Sequence, residues 1–393
     1  MKILIIPAFF QTRQRPTAGS FFLEQAKALQ NAGHQVTILY SDTYSVKCIA
    51  EWVSYREENS ITPEGIRIYR KKVFCPLKHG MEGHRENFAR EILSLYQKYL
   101  TKEKPDIIHA HCCVWAGYAA MRLSQMTGIP YVITEHATMF QLHSESISQK
   151  NDRYIREAFQ NADSVICVSN AFREVLSVYR SKNEIQVIGN VVDCSAFRVD
   201  GETQKKDKDG FQFLTVCYMQ TEDQLRKKGI DILLKAWKKV QEQFPKARLV
   251  IGGGGQATSK AVEWCKACGV SETVTFAGAL DRAEVIRQMQ NCDCFVLPSR
   301  YETFGVVYIE AMACGKPVIA AANGGPDDFI SKENGILVPV EDIDALADAM
   351  LTMIETGKNY QPDKIRESIQ KFSAPSIAAQ LTAIYQKILT SKG

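Results

Sequence analysis

The sequence predicts an α/β protein made of two doubly wound halves, each a mostly parallel sheet with helices on both faces. Three observations carry this expectation. Short apolar, β-branched runs alternate with amphipathic stretches along almost the whole chain. The strand-like runs are continuous rather than alternating, as befits parallel strands covered on both sides. The pattern breaks once, in a polar, charged, glycine-bounded segment from Asp200 to Gly210, and then restarts. The length of 393 residues agrees, since roughly 100–200 residues per domain gives two or three domains.

The first half reads as strands at Ile3–Ile6, Val36–Tyr40, Ile107–Ala110, Tyr131–Thr134 and Val165–Val168. Helical patterns lie between them at Phe21–Gln30, Glu86–Leu100 and Asp152–Gln160, while Thr43–Met81 reads as variable loops. The second half gives strands at Phe213–Cys217, Arg248–Ile251, Val274–Phe276, Cys294–Leu297 and Pro317–Ala320, with a helix at Ile230–Phe244. A last helical pattern, Ala374–Leu389, does not reveal which half it packs on. The expected domains are residues 1–197 and 198–374, with residues 375–393 free to return to the first. Such sheets bind ligands beyond the carboxyl ends of their strands, so a cleft between the halves is the expected site.

Composition narrows the function. A net charge of +4 spread along the chain leaves no footprint for nucleic acid. No window holds the eighteen or so uninterrupted apolar residues of a spanning helix, and "MKILIIPAFF" reads as a first strand, not a signal peptide. Most cysteines (Cys112, Cys113, Cys167, Cys217, Cys294 and Cys314 among them) keep apolar company and read as buried, reduced thiols of a cytoplasmic protein. Cys265 and Cys268 form a C-x-x-C with no second pair or histidine cluster, so no metal or redox role follows. The basic, aromatic stretch from Lys71 to Tyr99 leaves peripheral contact with an anionic membrane face open.

The chemistry concentrates in "PSRYETFGVVYIEAMACGKPV". "CDCFVLP" is a strand, "SRYET" a turn, and "FGVVYIEAMACG" a helix stopped by Gly315 and Pro317. Glu302 then stands beyond the strand's carboxyl end. Phe304, Gly305 and Val306 offer backbone N–H groups at a helix start, where an anion binds readily. Glu310 is a lone carboxylate in an apolar helix; buried, it needs partners, and a ribose diol would donate two hydrogen bonds. Two other patterns are decoys. "GGGGQA" mimics a dinucleotide fingerprint but lacks the acidic residue after the next strand, and reads as a loop lining a nucleotide pocket. Asp207–Asp209 and Asp342–Asp344 mimic metal-binding D-x-D, one in the linker and one opening a surface helix.

This extended stretch resembles the E-x(7)-E signature of family-four retaining glycosyltransferases, which have the GT-B fold of two Rossmann-like domains facing across a cleft. The resemblance continues through "NGGPDD" and "ENGILV", and in the first half through "IHAHCCVWAGYAA", "GIPYVITEHA", "ADSVICVSNAF" and "VIGNVVDCSAF". It implies that Glu302 faces the donor sugar, that Glu310 holds the nucleotide ribose, and that Phe304, Gly305 and Val306 meet the diphosphate. Lys228 and Gly229 in "RKKGIDILLKAW" match the family's Lys-Gly, whose lysine neutralises the leaving diphosphate. Gly19 and Ser20 match the glycine-bearing loop over the donor phosphates, although Ser20 would also serve as a plain helix cap. His136 matches a histidine near the sugar. His109 and His111 resemble a family feature, one of them expected to face the sheet, and carry no catalytic assignment.

One departure stands out. Where the family usually has Gly-Arg after the first strand of the second half, this chain has Cys217 and Tyr218, with Arg226 the nearest substitute for that arginine. The resemblance implies a retaining transfer from a nucleotide-diphosphate sugar, UDP being the commonest carrier, to a saccharide or lipid-linked saccharide in cell-surface polysaccharide or glycolipid synthesis. It implies no cofactor and no divalent metal. A sugar-nucleotide epimerase of the same fold, or a non-catalytic subunit that binds a sugar nucleotide, remain the alternatives. The sugar, the acceptor and the oligomeric state are not legible in the sequence.

Overall fold

Two parallel sheets organise the chain in a computed structural model, which describes residues 1–12, 18–45, 53, 59–75, 81–142, 147–199 and 210–392. The chain divides into two compact units, Met1–Val191 together with Ala374–Gly393, and Val192–Ser373. The fold is GT-B, each unit being a doubly wound α/β sheet.

The first unit carries β1 (Lys2–Pro7), β2 (Gln35–Ser45), β3 (Ser60–Ile61), β4 (Arg67–Cys75), β5 (Ile107–His111), β6 (Tyr131–Glu135), β7 (Ser164–Cys167) and β8 (Ile185–Val187). Their spatial order is β3-β4-β2-β1-β5-β6-β7-β8, parallel except for β3 against β4. Helices α1 (Ser20–Asn31), α2 (Met81–Tyr99), α3 (Tyr118–Thr127), α4 (Met139–Leu142), α5 (Gln149–Gln160) and α6 (Asn170–Leu176) follow in chain order. Ile3 to Ile6 are all buried because helices cover both faces of a central parallel strand.

Strand β4 departs from the loop expected there. It pairs with β2 from Thr37↔Arg67 to Ser45↔Cys75. Its basic residues hid it, since long cationic side chains can cover apolar surface with their stems. The Arg70 guanidinium lies 5.1 Å from the Phe10 ring centroid, and Lys71 pairs with Glu91. In the following helix Arg85 is buried, 3.6 Å above the Tyr154 ring. Two cations of the Lys71–Tyr99 stretch, Lys71 and Arg85, thus have partners within the fold.

The second unit carries β9 (Gln212–Val216), β10 (Arg248–Gly252), β11 (Val274–Gly278), β12 (Cys294–Leu297), β13 (Val318–Ala321) and β14 (Gly335–Val338), ordered β11-β10-β9-β12-β13-β14 and all parallel. Its helices are α7 (Glu222–Lys227), α8 (Ile230–Gln243), α9 (Thr258–Ala267), α10 (Arg282–Asn291), α11 (Val306–Ala313), α12 (Ile343–Thr356) and α13 (Pro362–Ser368). Helix α14 (Ala374–Lys392) closes the chain in the first unit. It is held there by Tyr385 on His109 and Thr382 on His34, and its end pairs Lys392 with Asp163.

The chain enters the second unit after Val191, upstream of position 197, because Val192–Phe197 packs there. Val192 donates its N–H to the Phe372 carbonyl, and Phe197 lies beneath the Arg282 guanidinium. Of the polar segment expected as a linker, Asp200–Gly210, all but Gly210 lies outside the described residues, and so does Asp207–Asp209. Among the described residues no helix is long and apolar enough to cross a membrane.

Candidate active site

In the second sheet the winding reverses between β9 and β12, which are neighbours although distant in sequence. A crevice opens at such a switch point, between the loops leaving the two strands. The two central candidates come from those loops. Lys228 closes α7 after β9, and Glu302 follows β12. The Lys228 Nζ lies 2.5 Å from Glu302 Oε1, and the Ser299 hydroxyl donates to the same oxygen at 3.0 Å. Burial alone would lower the Lys228 pKa, but the Glu302 charge and hydrogen bond outweigh it and raise it above the ordinary value. The ammonium therefore stays charged at any working pH.

Glycine makes the meeting possible. Gly229 has φ +69°, and a Cβ there would lie 2.0 Å from the Pro298 carbonyl oxygen. The Lys228–Gly229 turn can thus press directly on the start of the β12 loop. The glycine run expected to line a nucleotide pocket packs closely on the loop after β9. A Cβ on Gly253 would stand 1.8 Å from the Cys217 carbonyl, and one on Gly255 2.1 Å from that of Met219.

Past Glu302, the buried Phe304 ring packs at 5.1 Å from both Phe329 and Phe372. Gly305 occupies the N-cap of α11 at φ +92° and, having no side chain, makes no cap hydrogen bond. The Tyr308 hydroxyl donates to the Leu297 carbonyl at 2.6 Å, pinning α11 to the end of β12. Phe304, Gly305 and Val306 therefore open a helix beside the Lys228–Glu302 pair, with the positive end of its dipole there. Glu310 shares the one partly accessible face of this helix with Val306 and Val307. Its carboxylate is 3.7 Å from Arg282 Nη1, a partner the sequence did not suggest.

Arg226 stands apart from this group. Its guanidinium pairs with Glu222 at 2.8 Å on its own helix and lies 5.1 Å from the Trp264 ring centroid. Lys227 is closer to the pair: burial and the Lys228 charge push its ammonium down, against the pull of Glu302. Tyr218 is half exposed, and its neighbour Cys217 is a buried thiol raised to about 11 by burial. Asp342 caps α12, and Asp344 in its first turn pairs with Lys239 of α8.

The remaining candidates form a separate group in the first unit. Gly19, not Ser20, takes the N-cap position of α1, in the left-handed region at φ +66°. A Cβ there would lie 2.8 Å from the Phe9 carbonyl oxygen, which only glycine tolerates; Ser20 is the first helical residue. His136 leaves the end of β6 against Phe21 and Phe22, at 5.1 and 5.2 Å between ring centroids. Its Nε2 is 3.1 Å from His111 Nδ1.

His109 and His111 do not divide between faces as expected. Two residues apart on a strand, they share a face, and their buried rings stack at 4.5 Å. His109 also meets the Tyr385 hydroxyl at 2.6 Å and the Thr134 hydroxyl at 2.7 Å. Desolvation pushes His109 and His136 down to about 3, and His111 well below its ordinary value. Beside them Glu135 is raised to about 7 by burial, although it accepts from the N–H groups of Cys113, Ala137 and His136.

These groups set a pH dependence. A histidine whose folded pKa is depressed contributes stability above its unfolded pKa of about 6.5, lost as pH falls toward the folded value. Glu135, with a raised pKa, acts oppositely between about 4.5 and about 7. Three histidines outweigh one carboxylate, so the melting temperature should climb from about pH 4 to 6.5. Calorimetry across that range should show the climb, and a smaller slope for His109→Gln. Equal slopes in the two proteins would remove the buried ladder as its source.

Two family profiles together span most of the chain: Glycosyltransferase Family 4 over residues 18–196 and Glycosyl transferases group 1 over residues 216–372. The chain belongs to the family-four, group 1 glycosyltransferases. A putative teichuronic acid biosynthesis glycosyltransferase of Bacillus subtilis is 27% identical over 99% of both chains. Sucrose-phosphate synthase from Thermosynechococcus elongatus superposes with a TM-score of 0.79 at 23% identity, covering 99% of each chain. Anabaena HepE, solved in complex with UDP and glucose, gives 0.72 at 20% identity, over 98% of this chain and 100% of its own.

Proposed function

We propose that this glycosyltransferase retains anomeric configuration. It would move a sugar from a UDP-sugar to a saccharide or lipid-linked saccharide acceptor in cell-surface polysaccharide or glycolipid synthesis. The observation that carries this reading is the Lys228–Glu302 pair at the β9–β12 switch point, beside the uncapped start of α11. The Bacillus relative, a putative teichuronic acid biosynthesis glycosyltransferase, and the UDP and glucose in the Anabaena structure support the acceptor class and the carrier.

In this reading the diphosphate sits on the amides of Phe304, Gly305 and Val306, with Lys228 against it. Lysine has three N–H donors, so it can hold Glu302 and a phosphate oxygen together. Glu302 faces the donor sugar and Glu310 accepts from the ribose hydroxyls. Gly19, Ser20 and His136 keep the donor-side roles that the family resemblance implies, His136 as a neutral imidazole. Arg226 assists only after leaving Glu222. As the glycosidic bond breaks, its electron pair goes to the diphosphate, whose oxygen takes the proton of the attacking hydroxyl on the same face. The fixed cation and helix dipole offset the growing charge, a task a divalent metal performs elsewhere.

The test is transfer itself. Purified protein is incubated with UDP-sugars and oligosaccharide or lipid-linked acceptors, in excess chelator, and the new linkage is read by NMR. Product with the donor's own anomeric configuration is expected. Inverted product, or full loss of activity restored by magnesium or manganese, would overturn the corresponding part of the proposal.

Glu310 allows a finer check. A hydrogen bond to a charged group is worth about 1.5–3 kcal/mol, so Glu310→Gln should weaken UDP binding about tenfold or more. Calorimetric titration with UDP and 2′-deoxy-UDP separates the causes: removing the hydroxyl should cost the variant less than the parent. Equal losses would make Glu310 a partner of Arg282 alone.

A further inference from the structure

Arg300 lies between Ser299 and Glu302, yet its side chain turns to other loops. The guanidinium makes a two-pronged pair with Asp231 in the first turn of α8, Nη1 to Oδ1 at 2.8 Å and Nη2 to Oδ2 at 2.9 Å. Nη1 also donates to the Arg226 carbonyl, and Nε donates to Glu341, beyond β14, at 2.5 Å. The backbone N–H of Arg300 donates to the Lys227 carbonyl at 2.8 Å. The Arg300 and Asp231 side chains are only 19% and 13% exposed, which shields the pair from water.

One residue therefore ties together the segments that follow β9, β12 and β14. Two successive carbonyls just before Lys228 are held by Arg300, one by its side chain and one by its main chain. Lysine has a flexible four-carbon stem, so its ammonium is placed accurately only where its backbone is held. Catalytic geometry is sensitive at this scale: a displacement of about 1 Å can cost about a hundredfold.

We infer that Arg300, braced by Asp231, is a positioning residue for glycosyl transfer that sets the Lys228 ammonium against Glu302 without itself touching the donor. This rests on the role proposed above for Lys228. It predicts a kinetic signature that a general loss of stability does not give. Arg300→Lys keeps the charge but loses the fork. It should lower kcat about tenfold or more while leaving donor KM within about twofold.

The deciding experiment is a double-mutant cycle, read on folded protein with a UDP-sugar the parent uses. If Arg300 acts through Lys228, Arg300→Lys should cost nothing further in a Lys228→Ala background. Equal losses in both backgrounds would overturn the inference, as would a rise in KM at unchanged kcat, which means direct contact with the donor. Asp231→Asn, closer in shape, carries the same cycle if Arg300→Lys does not fold. A parent without transfer activity would fail the proposed function instead. The positioning role is then decided by crystal structures of the parent and Arg300→Lys: loss of the Lys228–Glu302 contact in the variant supports it, and an unchanged contact overturns it.

Discussion

Lys228→Ala is expected to cut turnover about a hundred- to a thousand-fold, the usual effect of losing one preorganised electrostatic contact worth about 2.7–4 kcal/mol. Negative charge grows on the diphosphate as the glycosidic bond breaks, so the cation favours the transition state over the bound donor. Saturating kcat should therefore fall much more than donor affinity. The variant also strips the buried Glu302 of its counter-charge, so its melting temperature should drop. Combining it with Glu302→Gln should recover much of the melt but none of the turnover. A Lys228→Ala enzyme that keeps more than a tenth of parental turnover would remove the lysine from the phosphate site.

A large effect on folding is expected at Gly229. Alanine there takes on left-handed backbone strain of about 1–3 kcal/mol. It also forces a methyl against the Pro298 carbonyl, where the Cβ would lie at 2.0 Å, and overpacking adds about 1–3 kcal/mol. Together these give about 2–6 kcal/mol, a large share of a typical stability. Chemical denaturation should show a greatly lowered midpoint. If Gly229→Ala folds as stably as the parent, the close approach of the two loops is not needed for folding. Gly33→Ala is the comparison: it also has positive φ, at +87°, but a Cβ there would meet nothing within 4 Å. Its cost should be the backbone term alone.

Much of the site was visible before any coordinates. The Glu302–Glu310 spacing, the glycine before α11 and the Lys228–Gly229 pair are local patterns, and local patterns survive in a linear string. What stayed hidden depends on residues far apart in sequence. Asp231 and Arg300 read as an ordinary helix-start acid and a turn arginine until they pair across two loops. Arg282 carries no motif, yet it stands beside Glu310. Arg226 looked available for a phosphate because no sequence pattern reveals that Glu222 and Trp264 already engage it.

The sequence by itself determined the α/β class, the two-fold repetition of the winding and the position of the candidate site along the chain. Hydrophobic periodicity and helix-stop residues encode these within a few residues of each position. Tertiary structure alone decided three other matters. Strand β4 exists because its Lys- and Arg-rich backbone pairs with β2 along nine residues, with Arg70 stacked over Phe10. Helix α14 belongs to the first unit because Tyr385 reaches His109 and Thr382 reaches His34, each across hundreds of residues. Lys228 meets Glu302 because β9 and β12 are neighbours at the winding reversal and Gly229 lets their loops touch. Each depends on burial and contact between distant segments, which no local pattern of residues encodes.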